Sequence, residues 1–377
     1  MSIDHKRLLY LARRGFLFWL SRKIDYPLVS PDCLQINFTF RCNLRCKMCS
    51  MQERMESFRL QNKQIELDKQ TIKKLIKEAF AMGVVYLILI GGEPFLDPGI
   101  YEIIAYAKQC GMRGVTVVTN GTLFSEPVIK EIFDCKLDNL SISIDAASEA
   151  VVSQIRGENV LQKIIDNVTL LNRMKERAQL ALPNIVCVCT IMNQNVHEIM
   201  DVVALCRKLK IPRIIFQPVV HDNTDQNRID FSSDVFIPAQ KFSVLDGAID
   251  SLIEYKQSNR NNYEFVANST VHLKLIKKYF RSALKPRELP CYSGFNRIQV
   301  VQEGKIYFCV NQSEHEAVVG NMNTDSLKAV WFSKEARDLR KLIRKCVFPC
   351  LQWCAYRDEF IEISDIWEKN KLFKNNP

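Results

Sequence analysis

Three cysteines stand close together in the run Arg41-Cys42-Asn43-Leu44-Arg45-Cys46-Lys47-Met48-Cys49, a C-x3-C-x2-C spacing. Three thiolates this near one another suit a soft metal or an iron–sulfur cluster. A [4Fe–4S] cluster normally takes four protein ligands, so a set of three leaves one iron open to an external ligand. A tetrahedral zinc site would need a fourth Cys or His nearby, and the loop contains none. Three cysteines that merely pack would sit in apolar surroundings, whereas this run is polar and Arg-rich.

A second group lies near the C-terminus. Cys291 and Cys309 are spaced C-x12-G-x4-C about Gly304, which suits the turn of a hairpin that brings two thiols to one site. Cys346, Cys350 and Cys354 follow at C-x3-C-x3-C. Thiols in a reducing compartment point to metal before disulfides. Four of these five would suit either one iron–sulfur cluster or zinc. The remaining cysteines of the 14, namely Cys33, Cys110, Cys135, Cys187, Cys189 and Cys206, lie in apolar runs and read as packing residues.

The elements that must position the first group are short β-branched runs: Leu34–Thr39, Tyr86–Ile90, Val115–Thr119, Leu140–Ile144, Ile185–Thr190 and Arg213–Phe216. Amphipathic stretches separate them: Asp68–Met82, capped by Asp68 and ended by Gly83, then Gly99–Cys110, Glu126–Phe133, Leu161–Glu176 and Val196–Leu209. Such alternation predicts an α/β fold with a parallel sheet, either an open doubly wound sheet or an incomplete barrel. Both place their sites at the C-terminal ends of the strands. The cysteine run follows the first strand. Gly91-Gly92-Glu93-Pro94 follows the second, Thr119-Asn120-Gly121 ends the third, and Ser143-Ile144-Asp145 ends the fourth, with Gln154-Ile155-Arg156-Gly157 beyond it. Glycines there let backbone approach a ligand, a carboxylate can accept from an ammonium group, and a guanidinium offers a planar fork of donors.

The cysteine run after the first strand resembles the signature of radical S-adenosylmethionine (SAM) enzymes. The resemblance implies a partial (β/α)6 TIM-like barrel. It also implies that Cys42, Cys46 and Cys49 hold a [4Fe–4S] cluster whose open iron chelates SAM. One electron then cleaves SAM to methionine and a 5′-deoxyadenosyl radical, which abstracts hydrogen from a substrate. Gly91, Gly92 and Glu93 are similar to the family's SAM-amine motif. Ser143 and Arg156 match elements that contact SAM and its carboxylate. Gln217-Pro218 and Asn193 match too loosely to carry a role. Met48 stands where relatives often have an aromatic residue, a change expected to alter packing alone. No catalytic side chain is assigned.

The segment from Cys291 resembles the SPASM/twitch extension, a small Cys-rich α+β unit that binds auxiliary clusters. Its five cysteines, fewer than the seven of a full SPASM domain, imply one auxiliary cluster on Cys291, Cys309 and Cys350 with Cys346 or Cys354. The expected organisation is an N-terminal basic amphipathic helix in 1–33, a barrel in 34–221, a connector in 222–290, the cluster extension in 291–357, and a helix and tail in 358–377.

The formal net charge of +10 is compatible with an anionic partner. Without an aromatic RNA-binding motif or a dense basic block, the sequence argues against nucleic acid; salt-sensitive RNA binding would revive an RNA-modifying role. Leu8–Leu20 is apolar but interrupted by Arg13 and Arg14, so it is neither a spanning helix nor a signal peptide. It packs on the main domain or lies on an anionic membrane through residues 8–23. The expected location is cytoplasmic, with peripheral contact to the inner face of the membrane as an extension of that reading. The substrate expected first is a carbohydrate-like small molecule, because only about thirty residues precede the first strand and leave no room for a peptide-recognition domain. Peptide or protein maturation is the alternative. A non-catalytic electron carrier is a third reading, opposed by the SAM-orienting Glu93 and Arg156. A flavodoxin- or ferredoxin-type protein is the expected reductant.

Overall fold

The computed structural model describes residues 5–49, 56, 66–220, 233–285, 288, 290–309, 318–346, 350–351 and 359–373. Six parallel strands form its centre: β1 (Cys33–Thr39), β2 (Tyr86–Gly91), β3 (Gly114–Thr119), β4 (Asn139–Ser143), β5 (Asn184–Ile191) and β6 (Arg213–Pro218). They lie in sequential order with no reversal. A doubly wound sheet would reverse order at a switch point. With the right-handed crossovers that parallel strands adopt, this sequential order leaves every helix on the same face, which is the construction of a partial barrel. The burial pattern agrees. In β5, Ile185, Cys187, Cys189 and Ile191 are buried, whereas Val186, Val188 and Thr190 on the opposite face are half-buried.

Helix α1 (His5–Ile24) precedes the sheet, and the crossover helices are α2 (Lys69–Ala81), α3 (Gly99–Gln109), α4 (Glu126–Asp134), α5 (Glu149–Arg156), α6 (Leu161–Arg177) and α7 (Ile199–Lys208). Local chemistry explains α2. The Asp68 carboxylate accepts from the Gln70 and Thr71 amides at 2.9 and 3.0 Å, and Gly83 lies just beyond the end at φ 90°. Ile72, Leu75, Ile76 and Ala79 are buried beneath it. Each large apolar side chain of this kind contributes roughly 1.5–3 kcal/mol.

Part of the stretch expected as a polar connector is built into the same core. Helices α8 (Phe242–Ser258), α9 (Arg260–Phe265) and α10 (Thr270–Phe280) bury Leu245, Ile249, Leu273 and Ile276 with the barrel's apolar residues. They also close the β6 edge. Val266 bridges Ile214, and the Asn268 amide accepts from the Phe216 N–H and donates to its carbonyl, each at 2.7 Å. An open edge would expose unpaired backbone groups.

The C-terminal extension continues the sheet. Strand β7 (Arg297–Val300) pairs in parallel with β1, with Leu34 opposite Ile298. The antiparallel β8 (Lys305–Tyr307) and β9 (Val318–Asn321) follow, giving nine strands in one sheet among the described residues. Gly304 turns the β7–β8 hairpin at φ 81°. Helices α11 (Leu327–Trp331), α12 (Lys334–Arg344) and α13 (Glu359–Leu372) complete the described chain. The buried Arg340 guanidinium donates to the Gly294 and Trp331 carbonyls and binds the extension's loops together.

Candidate functional site

The cysteine run leaves the C-terminal end of β1 and is fixed by backbone and side-chain contacts. The Gly92 and Glu93 amides donate to the Thr39 and Arg41 carbonyls at 2.7 Å each. A Cβ at Gly91 would stand 2.3 Å from the Thr39 oxygen, and one at Gly92 would stand 2.1 Å from the Arg41 oxygen. The two glycines therefore allow β2 to press against the start of the cysteine loop, besides lining the cavity beside it. Within the loop, Cys49 N–H donates to the Cys46 carbonyl, and Lys47 N–H donates to Ile155 at the end of α5.

Asn43 ties the loop to the turn after β3. Its amide donates to the Thr122 hydroxyl at 2.9 Å, and its carbonyl accepts from the Asn120 amide at 2.9 Å. Glu93 holds the other side of that turn. Its carboxylate accepts from the Thr119 hydroxyl at 2.8 Å and from the Asn120 and Phe95 amides at 2.7 and 3.2 Å. Glu93 is fully buried, and burial raises its pKa against the pull of those hydrogen bonds. Its side chain braces the wall from behind and is absent from the cavity lining, whereas the neighbouring glycines face the cavity.

The cavity opens to solvent, and cavity and mouth together span about 750 Å³. Cys42, Cys46, Cys49, Gly91, Gly92, Ser143 and Arg156 all line it, so most of the residues singled out from sequence meet there. Asn120, Asp145 and Thr190 join them. Arg156 reaches the wall from the end of α5, where its Nη2 donates to Asp145 Oδ2 at 2.6 Å and to the Ser143 carbonyl at 3.0 Å. Burial alone would lower the arginine's pKa, but Asp145 and Cys46 more than offset it, so the guanidinium remains charged. Asp145 also accepts from the Thr190 amide at 2.9 Å. Asp145 and Asn43 have no role expected from the sequence. The S-x-D spacing was the available signal for Asp145. Asn43 carried none, because its partners lie 77 and 79 residues away.

The donor set fits an iron–sulfur cluster. Burial pushes the Cys46 thiol up to about 12 and raises Cys42, so cluster assembly must displace protons from both. Among the described residues no three Cys, His, Asp or Glu side chains converge as a single ion requires. The three thiols line one cavity, and three cysteines without a fourth protein ligand suit a cluster that keeps one iron open.

The second group is placed by the extension. Cys291 precedes β7, Cys309 follows β8, Cys346 follows α12, and all three with Cys350 are half-buried. The Cys291 carbonyl accepts from Arg22 Nε of α1 at 3.1 Å. Cys354 lies outside the described residues. Cys33, Cys135, Cys187, Cys189 and Cys206 are buried and Cys110 half-buried, as packing residues should be.

Comparison with known proteins agrees with this geometry. Residues 36–192 match the Radical SAM superfamily, and residues 291–357 match SPASM, an iron-sulfur cluster-binding domain. The probable GTP 3′,8-cyclase of Sulfolobus acidocaldarius is 22% identical over 310 residues, 81% of this chain and 88% of that protein. The PqqA peptide cyclase of Methylorubrum extorquens is 29% identical over 185 residues, 49% of this chain and 45% of that protein. Among solved structures, Streptococcus suis SuiB bound to its precursor peptide SuiA superposes with a TM-score of 0.64 at 15% identity, covering 93% of this chain and 79% of that one. That last likeness is one of fold. The cofactors of such a chain are SAM and iron–sulfur clusters, which answers the zinc alternative for the extension. With its cysteine loop at the C-terminal end of the first strand and the strand-end motifs lining the cavity beside it, the chain is a radical SAM enzyme carrying a C-terminal SPASM iron–sulfur domain.

Proposed function

We propose that this enzyme modifies a peptide or protein substrate. The observation that carries the reading is the similarity to a peptide cyclase. It favours a peptide over the carbohydrate-like molecule expected first from the sequence. The cavity adds a reason to set aside a nucleotide triphosphate such as the one named for the cyclase from Sulfolobus acidocaldarius. Among the described lining residues Arg156 is the only cation, a single positive charge against the several negative charges of a triphosphate.

In this reading Cys42, Cys46 and Cys49 hold the SAM-binding cluster. The Gly91–Gly92 backbone, Ser143 and Arg156 orient SAM, and Glu93 keeps the third-strand turn in place behind them. Cys291, Cys309 and Cys350, with Cys346 or Cys354, hold an auxiliary cluster. When bound, these groups supply one-electron cleavage of a carbon–sulfur bond and the hydrogen abstraction that follows. A flavodoxin- or ferredoxin-type protein delivers the electron.

The test is anaerobic reconstitution with iron and sulfide, then SAM and dithionite, with 5′-deoxyadenosine assayed beside the Cys42/Cys46/Cys49 triple-alanine variant. Wild type should form the nucleoside and the variant should not. Peptide substrates should raise the yield and change mass. Nucleoside formation that responds to sugars, while every peptide keeps its mass, would return the substrate to the carbohydrate class.

A further inference from the structure

Helix α1 buries one face and leaves a second apolar face uncovered. Leu11 and Phe18 are buried against the body, and Arg14 forms an ion pair with Asp32. On the same inner side, Arg22 donates to the Cys291 and Arg344 carbonyls. The outer side exposes Leu9 by 72%, Phe16 by 53% and Trp19 by 45%, large fractions for side chains that favour burial. Phe16 and Trp19 stack with ring centroids 5.8 Å apart. Helix α13 packs beside α1 and exposes Trp367. Along α1 itself the charge has one sign. Across His5–Ile24 the sequence has six Lys and Arg residues and no Asp or Glu, and Arg13 and Lys23 are exposed on the outer side.

We propose that the outer face of α1 docks on an anionic lipid bilayer. Aromatic and aliphatic side chains ringed by cations match an interface of acyl chains beneath negative headgroups. A protein partner would need its own acidic, apolar surface, whereas a bilayer presents both over any area. Among the described residues no helix is long and apolar enough to cross a membrane, so the contact is peripheral. Because Arg22 fastens the inner side of α1 to Cys291, docking sets the iron–sulfur extension close to the lipid surface.

Co-sedimentation of the full reconstituted chain with vesicles tests this. Phosphatidylglycerol/phosphatidylcholine vesicles should bind it at low salt, pure phosphatidylcholine vesicles should bind it weakly, and high salt should release it. The Phe16→Glu/Trp19→Glu variant should bind at least about tenfold more weakly. Arg13→Gln/Lys23→Gln, which leaves the apolar face intact, should lose about tenfold or more. Both variants should keep wild-type helix content and iron. Failure of wild type to bind anionic vesicles at low salt would overturn the proposal. So would sedimentation showing a dimer that the Phe16→Glu/Trp19→Glu variant splits, since the face would then belong to a second copy of the chain. These outcomes do not depend on SAM turnover and leave the peptide reading untouched.

Discussion

Arg156 and Asp145 form an ion pair of 2.6 Å with side chains only 3% and 2% exposed, at the wall of the cavity that holds the three cysteines. A buried pair is not itself a large source of stability, but breaking it leaves a charge in low dielectric without a partner. The pair fixes Arg156 facing Cys46, and it joins the ends of β4, β5 and α5 through Ser143 and Thr190.

Asp145→Ala should therefore destabilise the chain by about 3–5 kcal/mol in urea unfolding. The double variant Asp145→Leu/Arg156→Met should cost clearly less than the sum of the single changes. Additive costs would show that the two groups act independently.

Asn43 predicts a local effect on the cluster loop. Asn43→Ala removes two hydrogen bonds between that loop and the turn after β3. It should cost about 1–2 kcal/mol, and a chelator should strip iron from the reconstituted variant faster than from wild type. Equal rates of iron loss would mean that other contacts hold the loop.

Glu93 predicts an effect on the wall rather than on charge alone. In Glu93→Gln one side-chain oxygen becomes an NH2 group facing the N–H and O–H donors now satisfied by the carboxylate. A loss of about 1–3 kcal/mol is expected. Unchanged urea unfolding would show that the turn after β3 does not rely on this carboxylate.

Lys256 predicts a pH dependence. Its ammonium is buried beneath α8 and donates to the Tyr263 and Val266 carbonyls at 2.9 and 3.0 Å. Burial lowers its pKa to about 8, with Asp365 and Glu368 opposing the shift. In the unfolded chain a lysine titrates near 10.4. Between those values the unfolded state binds more protons, so this group makes stability rise with pH. The contribution is complete above the unfolded value and disappears as pH falls through about 8. Subtracting the Lys256→Met curve from the wild-type curve should isolate that rise. A flat difference from pH ~7 to pH ~11 would refute it.

The barrel was legible because its signals are local. Each strand is a short β-branched run, and the observed ends differ from the expected ones by a residue or so, as in Tyr86–Gly91 against Tyr86–Ile90. Capping chemistry at Asp68 and Gly83 marked α2. The cysteine spacing and the motifs at strand ends gathered most of the site. Nonlocal relationships stayed hidden. Nothing near Asn43 announces Thr122, and nothing in Arg297–Val300 announces β1 as its neighbour. The helical patterns at Phe242–Gln257 and Val271–Phe280 were legible, but the Asn- and Asp-rich turns around them gave no sign that the apolar faces of α8 and α10 join the main core. Glu93 illustrates a different limit: a motif indicates that a carboxylate matters but not which way it points.

The parallel pairing of β1 with β7 has a consequence for how this chain can be cut or recombined. The strand that launches the cysteine loop has β2 on one side and a strand of the extension on the other. A protein ending before residue 297 would present the Cys33–Ile36 edge of β1 as an open template for other chains to pair with. The extension is thus a structural shield as well as a cluster carrier, and exchanging it between relatives requires grafting a strand into a sheet rather than swapping a module at a linker.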